Sequence, residues 1–212
     1  MVAGGRFELG IGAGRPMAAA DNAMLGQPFD SGAVRVERLA ESLSIIKPLL
    51  AGQSVDVAGT YYTAKQAAIS PQPVQAAMPL LMAAGGRRLL SLAAREADSI
   101  ALAIQPEETT EQVGERIGWI REAAGDRFPQ IAININLMAV AGQVPRYVQM
   151  GRGDDAAREL AQSDAIPVLK GTTEQMCDRL LWLRETFAIS YVMVGDELMD
   201  ALAPVVERLA GN

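Results

Sequence analysis

The feature that most constrains the fold of this chain is an alternation of short apolar runs with longer segments in which apolar residues recur every three or four positions. The runs are rich in β-branched residues, and several are continuously apolar, which is typical of parallel strands buried on both faces. The sequence therefore predicts strands over residues 6–12, 79–84, 99–104, 131–140 and 190–195. Because parallel strands need crossover connections, this rhythm predicts an α/β fold.

The segments between and after these strands have the period of amphipathic helices. The predicted helices cover residues 33–50, 87–96, 107–124, 154–163, 173–186 and 197–209. Pro48 should end or kink the last turn of the first helix. Thr172 and Gln175 have the spacing of a capping box, which predicts the start of the fifth helix. An insertion at residues 52–73 contains a predicted hairpin, residues 54–63, and nothing marks a domain boundary, so we expect one domain over residues 1–212.

Charge and residue types exclude several classes of function. The net charge of −6 and the pI near 4.8 argue against a nucleic-acid partner, which would need a basic face. There is no histidine, which removes Ser-His and Cys-His catalysis and the commonest zinc ligand. Cys177 is the single cysteine, so we expect no internal disulfide, no metal cluster and a thiol packed in the core.

Hydropathy gives no sign of a membrane protein. No run of the sequence approaches the ~18 apolar residues of a membrane span. Residues 1–6 contain no apolar core of signal-peptide length. We therefore expect a cytoplasmic chain without a membrane partner.

A first glycine-containing loop follows the first predicted strand. Its sequence, Gly10-Ile11-Gly12-Ala13-Gly14, matches a dinucleotide-binding fingerprint only in part, because the third glycine comes too early and no helix starts at once. The residues fit a tight turn and a ligand-binding loop equally well.

A second glycine-containing loop, Ala84-Gly85-Gly86-Arg87-Arg88, ends an apolar strand and opens a helix directly. Backbone N–H groups at a helix start attract an anion, glycine lets a phosphate approach closely, and the two arginines add positive charge. The alternative is a short turn that needs small residues for packing, with both arginines solvated. The residues alone leave both interpretations open.

Asn134 and Asn136 share one face of the fourth predicted strand. They could point into a polar barrel mouth, but hydrogen-bonded structural amides are the favoured interpretation.

Several stretches of the sequence resemble the luciferase-like monooxygenase family. They follow the family's order and span nearly the whole chain: GGRFELGIGAG at 4–14, PFDS at 28–31, RVERL at 35–39, PQPVQ at 71–75, PLLM at 79–82, AGG at 84–86, AAREAD at 93–98 and GTTEQ at 171–175. The sequence is most similar to the branch that uses the deazaflavin coenzyme F420, and the flavin mononucleotide (FMN) branch is the alternative.

This resemblance implies a TIM-type (β/α)8 barrel with the cofactor at the C-terminal ends of the strands. It implies that the second glycine loop holds the cofactor phosphate and that the first lies beside the deazaflavin ring. The candidate cofactor-binding residues are Gly12, Ala13, Gly14, Ala84, Gly85, Gly86 and Arg87. Family members often have an aromatic or acidic residue after the first loop, where this chain has Arg15-Pro16, and residues 18–20 replace a more polar stretch, so no substrate contact is assigned.

The length of the chain is shorter than such a barrel requires. An eight-unit barrel needs about 250 residues, whereas this sequence has 212 and matches the family from what would be the fourth strand. We therefore expect a barrel truncated to about five C-terminal βα units, with open edges at its first and last strands. The family is expected to keep substrate-binding and proton-transfer residues in the missing units, so no catalytic residue is assigned.

Two functions from different classes remain. In the first, the protein is an oxidoreductase that moves a hydride between reduced F420 and a small organic substrate, or an FMN-dependent monooxygenase. In the second, the chain is a non-catalytic binding or assembly subunit that keeps a phosphate cradle. The open edges predict a homo-oligomer in either case.

Overall fold

The computed structural model describes residues 4–210. The strands are β1 (Leu9–Gly12), β2 (Val55–Ala58), β3 (Thr63–Ala67), β4 (Leu80–Ala84), β5 (Ser99–Leu102), β6 (Ala132–Asn136), β7 (Ala139–Val140), β8 (Val168–Leu169) and β9 (Ile189–Met193). The helices are α1 (Ala18–Met24), α2 (Gly32–Leu50), α3 (Arg87–Glu96), α4 (Thr110–Ala124), α5 (Arg146–Arg152), α6 (Asp154–Gln162), α7 (Thr173–Phe187) and α8 (Met199–Leu209). Short 3-10 helices cover Gly125–Gln130 and Asp196–Leu198.

The described residues form two compact units. The first contains residues 4–100 and 123–131, and the second contains residues 101–122 and 132–210. The division passes through β5, so each unit takes half of that strand. The expectation of one domain over residues 1–212 is not tested by this division and stays a prediction.

In the first unit the strand order is β1-β4-β5. β1 and β4 are parallel, and their register pairs Leu9 with Leu80 and Gly12 with Ala83. The connection between them, residues 13–79, carries α1, α2 and the predicted hairpin, which is confirmed as the antiparallel pair of β2 and β3. The hairpin is longer than expected, because its second strand runs to Ala67.

The core of the first unit lies between α2, α3 and β4. Ser31 caps α2, since its Oγ accepts from the Val34 N–H at 3.4 Å. α2 packs against α3 and α3 against β4. The side chains buried there are Leu39, Leu43, Leu80, Met82, Ala84, Leu90, Leu92, Ala93 and Ala94. Pro48 lies in the last turn of α2, which ends two residues later.

In the second unit the strand order is β5-β6-β9. β6 and β9 are parallel, with one extra residue in β9 at Ser190, because Ile133 pairs with Ile189 and Asn134 with Tyr191. The prediction of a single strand over residues 131–140 is wrong. The Leu137 N–H still donates to the Met193 carbonyl, but the Met138 N–H donates to the Pro167 carbonyl, so the chain changes partner there. β7 then pairs with β8 in a separate two-stranded sheet.

The helices of the second unit largely follow the sequence pattern. The capping box of α7 is confirmed, with the Thr172 side chain accepting from the Gln175 N–H and the Gln175 side chain accepting from the Thr172 N–H. Cys177 is buried, as expected. The sequence did not predict α5, nor α1 in the first unit, because seven residues are too few to show a helical period. Within residues 4–210, no helix combines the length and the apolar character needed to cross a membrane.

The edges of the sheet lead to a prediction about assembly. Among the described residues, β1 hydrogen-bonds to β4 alone in its sheet and β9 to β6 alone. Each strand therefore has a row of backbone groups that another strand can bind. We expect the purified chain to self-associate or to be poorly soluble. Sedimentation velocity measures this, and a monodisperse monomer that unfolds cooperatively on heating would contradict it.

Candidate functional site

The two glycine loops leave the sheet from neighbouring strands of the first unit. β1 and β4 are parallel, and Gly12 pairs with Ala83. The two loops therefore begin side by side, at the C-terminal ends of these strands. Gly12, Ala13 and Gly14 follow from the end of β1, and Gly85 and Gly86 follow from the end of β4. The C-terminal edge of parallel strands is the usual position of ligand sites in α/β folds.

The second loop presents a helix start without a side-chain cap. Gly86 is the N-cap of α3, and no side chain hydrogen-bonds to the cap. A Cβ built on Gly86 would meet no atom within 4 Å, and φ at this residue is −86°. Neither packing nor backbone conformation therefore requires glycine here. Gly86, Arg87 and Arg88 are exposed, so the first N–H groups of α3 are open to a ligand.

The first loop forms one wall of a cavity of about 310 Å³. Gly12, Ala13 and Gly14 all line it, and Gly14 has a φ of +79°, which favours glycine. The other walls come from α1, the segment before α2, α2 itself and the hairpin. They include Asn22, Phe29, Asp30, Arg35, Arg38 and Tyr62. Residues 84–87 are not part of this cavity wall.

Arg35 connects the first loop to α2. Its Nε donates to the Ala13 carbonyl at 2.9 Å, and its Nη1 donates to the Asp30 carbonyl at 2.7 Å. The guanidinium also lies over the Phe29 ring, 4.2 Å from the ring centroid. A single side chain therefore fixes the loop after β1 and the segment before α2.

Arg38 lies one turn further along α2 and binds the same segment. Its Nη1 is 2.7 Å from Oδ2 of Asp30, and the guanidinium is 5.8 Å from the centroid of the Tyr62 ring. The hydrogen bond that Arg38 donates to the Asp30 carboxylate is the largest cause that raises the pKa of Arg38 above its ordinary value. Asp30 is thus held by two arginines, one through its backbone carbonyl and one through its carboxylate.

Glu41 anchors the hairpin turn against α2. Its carboxylate accepts from the backbone N–H groups of Thr60 at 3.0 Å, Tyr61 at 2.9 Å and Tyr62 at 2.6 Å. Burial raises the pKa of this carboxyl, but the three N–H groups outweigh burial and hold the pKa below its ordinary value. The turn that positions Tyr62 on the cavity wall depends on this carboxylate.

We did not predict a role for Arg35, Arg38 or Glu41 from the sequence. Their spacing of three residues places them on neighbouring turns of α2, and this pattern was the available signal. It could not have named their partners, because Ala13 and the 60–62 turn are distant in sequence.

Asn134 and Asn136 differ from each other in the structure. Asn134 is fully buried and its Nδ2 donates to the Tyr191 carbonyl at 3.3 Å, which fits the structural interpretation. Its Oδ1 has no partner among the described residues. Asn136 is exposed at the end of β6. No group of three or more Asp, Glu or Cys side chains within residues 4–210 could hold a metal ion.

The sequence matches the family described as luciferase-like monooxygenase over residues 1–199. Two curated relatives are similar to part of the chain, and both are named F420-dependent glucose-6-phosphate dehydrogenase. The protein from Beutenbergia cavernae is 39% identical over 97 residues, which cover 46% of this chain and 28% of the relative. The protein from Microbacterium testaceum is 37% identical over 94 residues, or 44% and 27% of the two chains. The chain thus spans little more than a quarter of the length of these relatives.

Solved structures share the fold. An F420-dependent secondary alcohol dehydrogenase, solved in complex with an F420-acetone adduct, superimposes with a TM-score of 0.69 at 15% identity. The match covers 95% of this chain and 70% of that one. Together with the parallel strands, the likeness confirms the prediction of a (β/α)8-type fold truncated to about five βα units.

The hairpin turn gives a prediction about stability. A Cβ built on Gly59 would overlap the Glu41 carboxylate. Gly59→Ala should therefore displace Glu41 from its three N–H partners and lower the thermal unfolding midpoint. Gly118→Ala is the matched control, because Gly118 lies exposed in α4 with open space around a Cβ. The control should gain about 0.5–1 kcal/mol from helix propensity. Equal midpoints for the two variants, measured by circular dichroism, would contradict the role given to Glu41.

Proposed function

Because this chain belongs to the luciferase-like monooxygenase family, we propose that it is an oxidoreductase that binds the deazaflavin coenzyme F420 for hydride transfer to or from a small organic substrate. One observation carries the proposal: because β1 and β4 pair in parallel, both glycine loops begin at the C-terminal ends of neighbouring strands. The choice of F420 is supported by the names of the two curated relatives, both F420-dependent.

The residues at the second loop fit a phosphate. The start of α3 has no side-chain cap, a Cβ-free Gly86 leaves space for close approach, and Arg87 follows at once. Backbone N–H groups and the helix dipole both attract negative charge at this position. Ala84, Gly85, Gly86 and Arg87 are the residues we assign to the cofactor phosphate.

The residues at the first loop fit one face of a planar ring. Gly12 and Gly14 carry no side chain, so a ring can lie close to the backbone of this loop. A bound deazaflavin supplies the hydride chemistry, and the protein then has to bind it, orient it and exclude water. No residue of this chain is assigned to proton transfer.

The choice of cofactor can be tested by titrating the purified chain with F420 and with FMN, read by ligand fluorescence. We expect F420 to bind at least about tenfold more tightly, a difference of about 1.4 kcal/mol. Tighter binding of FMN would overturn the cofactor assignment. Binding of neither ligand would overturn the proposed function.

The phosphate loop can be tested by Gly86→Asp. The new carboxylate would occupy the place of the anion and repel it, and loss of one hydrogen bond to a charged group costs about 1.5–3 kcal/mol. We expect F420 affinity to fall at least about tenfold. The fold should not suffer, because aspartate is a favoured N-cap residue and the backbone at Gly86 has an ordinary φ.

Two further variants make this test specific. Gly118→Asp adds the same charge at an exposed glycine of α4 and should leave F420 affinity unchanged. Arg87→Ala removes a positive charge beside the loop and should weaken binding more at low salt than at high salt. Unchanged F420 affinity in a folded Gly86→Asp variant would mean that this loop is a packing turn and does not hold the phosphate.

A further inference from the structure

We propose that Arg35 is a positioning residue that sets the conformation of the loop Gly12-Ala13-Gly14 and, through it, the orientation of the bound deazaflavin ring. The claim about the ring rests on the proposed function, which assigns the ring to this loop. The claim about the conformation of the loop rests on the contacts of Arg35 alone.

The contacts of Arg35 converge on the first residues beyond β1. The strand ends at Gly12, so the Ala13 carbonyl that accepts from Arg35 Nε at 2.9 Å is the first one beyond the strand. A carbonyl in this position has no strand partner to fix it, and the direction of the next peptide plane depends on what binds it. Arg35 fixes that direction.

Gly14 lies next to the side chains of Phe29 and Arg35. A Cβ built on Gly14 would lie 3.8 Å from the Phe29 ring and 4.0 Å from Arg35 Nε. The guanidinium in turn lies 4.2 Å from the Phe29 centroid. Gly14 with its positive φ, Phe29 and Arg35 therefore form a single packed layer, and this layer lines the cavity beside the loop.

On the side away from the loop, Arg35 is held by α2 and by the segment before it. Arg35 belongs to the first turns of α2, where its own N–H donates to the Ser31 carbonyl at 3.0 Å. Its Nη1 holds the Asp30 carbonyl, and Arg38 holds the Asp30 carboxylate. The position of the guanidinium is thus set by a helix of 19 residues rather than by the loop it binds.

Lysine cannot reproduce these contacts. A planar guanidinium donates to two separate carbonyl groups while its face lies on an aromatic ring, whereas an ammonium is a compact point charge. Arg35→Lys keeps the charge and loses the geometry. Arg158→Lys is the control, because Arg158 lies exposed in α6, forms an ion pair with Asp155 and is not part of this cavity wall.

The first arm of the test needs no cofactor. Hydrogen exchange, followed by mass spectrometry, is measured on the peptide covering residues 9–20 in the wild type and the two variants. We expect exchange about tenfold faster in Arg35→Lys, the factor that corresponds to one hydrogen bond to a charged group. Arg158→Lys should exchange like the wild type. Equal exchange in all three proteins would overturn the role of Arg35 in the loop.

The second arm uses oxidised F420 as the probe. The visible absorption maximum of bound F420 should move back toward that of free F420 in Arg35→Lys but not in Arg158→Lys. An unchanged spectrum in Arg35→Lys at saturating F420 would overturn the role of Arg35 in orienting the ring. Failure of the wild type to bind F420 would instead overturn the proposed function, and the exchange experiment would still decide whether Arg35 controls the loop.

Discussion

Parallel pairing of β1 with β4 obliges the chain to return from the C-terminal end of one strand to the N-terminal end of the next. In this protein the return takes residues 13–79, which include a helix of 19 residues and a hairpin. The first unit is organised by that connection. α2 packs against α3, its buried side carries Leu39 and Leu43, and its other residues reach the loop and the hairpin. The two glycine loops are neighbours because the register of β1 and β4 pairs Gly12 with Ala83.

Arginine guanidinium groups bind backbone carbonyls at the ends of several strands and helices. Arg35 binds the Ala13 carbonyl after β1, and Arg116 binds the Ala103 carbonyl after β5. Arg127 donates to the carbonyls of Ala94 and Ala97, at the end of α3. Carbonyl groups beyond the last residue of an element have lost their regular partners, and arginine has five N–H donors and no acceptor.

The strands and long helices could be predicted from the sequence because burial imposes their periods. The apolar run of β4, which buries Leu80, Met82 and Ala84, and the stripe of α2 that includes Leu39 and Leu43 are consequences of that burial. α1 and α5 could not be predicted, since one or two turns show no period. Within the candidate site the glycine loops were visible as local patterns, and their assignment to a cofactor is still a proposal. The link from Arg35 to Ala13 was not visible, because it joins residues that only the fold brings together.

Among the described residues, the extra residue in β9 makes the two end strands of the sheet, β1 and β9, unequal. A bulged strand bends and twists more strongly, and it offers an irregular row of partners to a further strand. β1 pairs with β4 in unbroken register and keeps a regular row on its other side. Association through β1 of both copies would follow a two-fold axis and stop at a dimer, whereas β1 of one copy on β9 of the next would continue into an open filament. The bulge beside Asn134 therefore makes β9 a less regular partner for a further strand than β1.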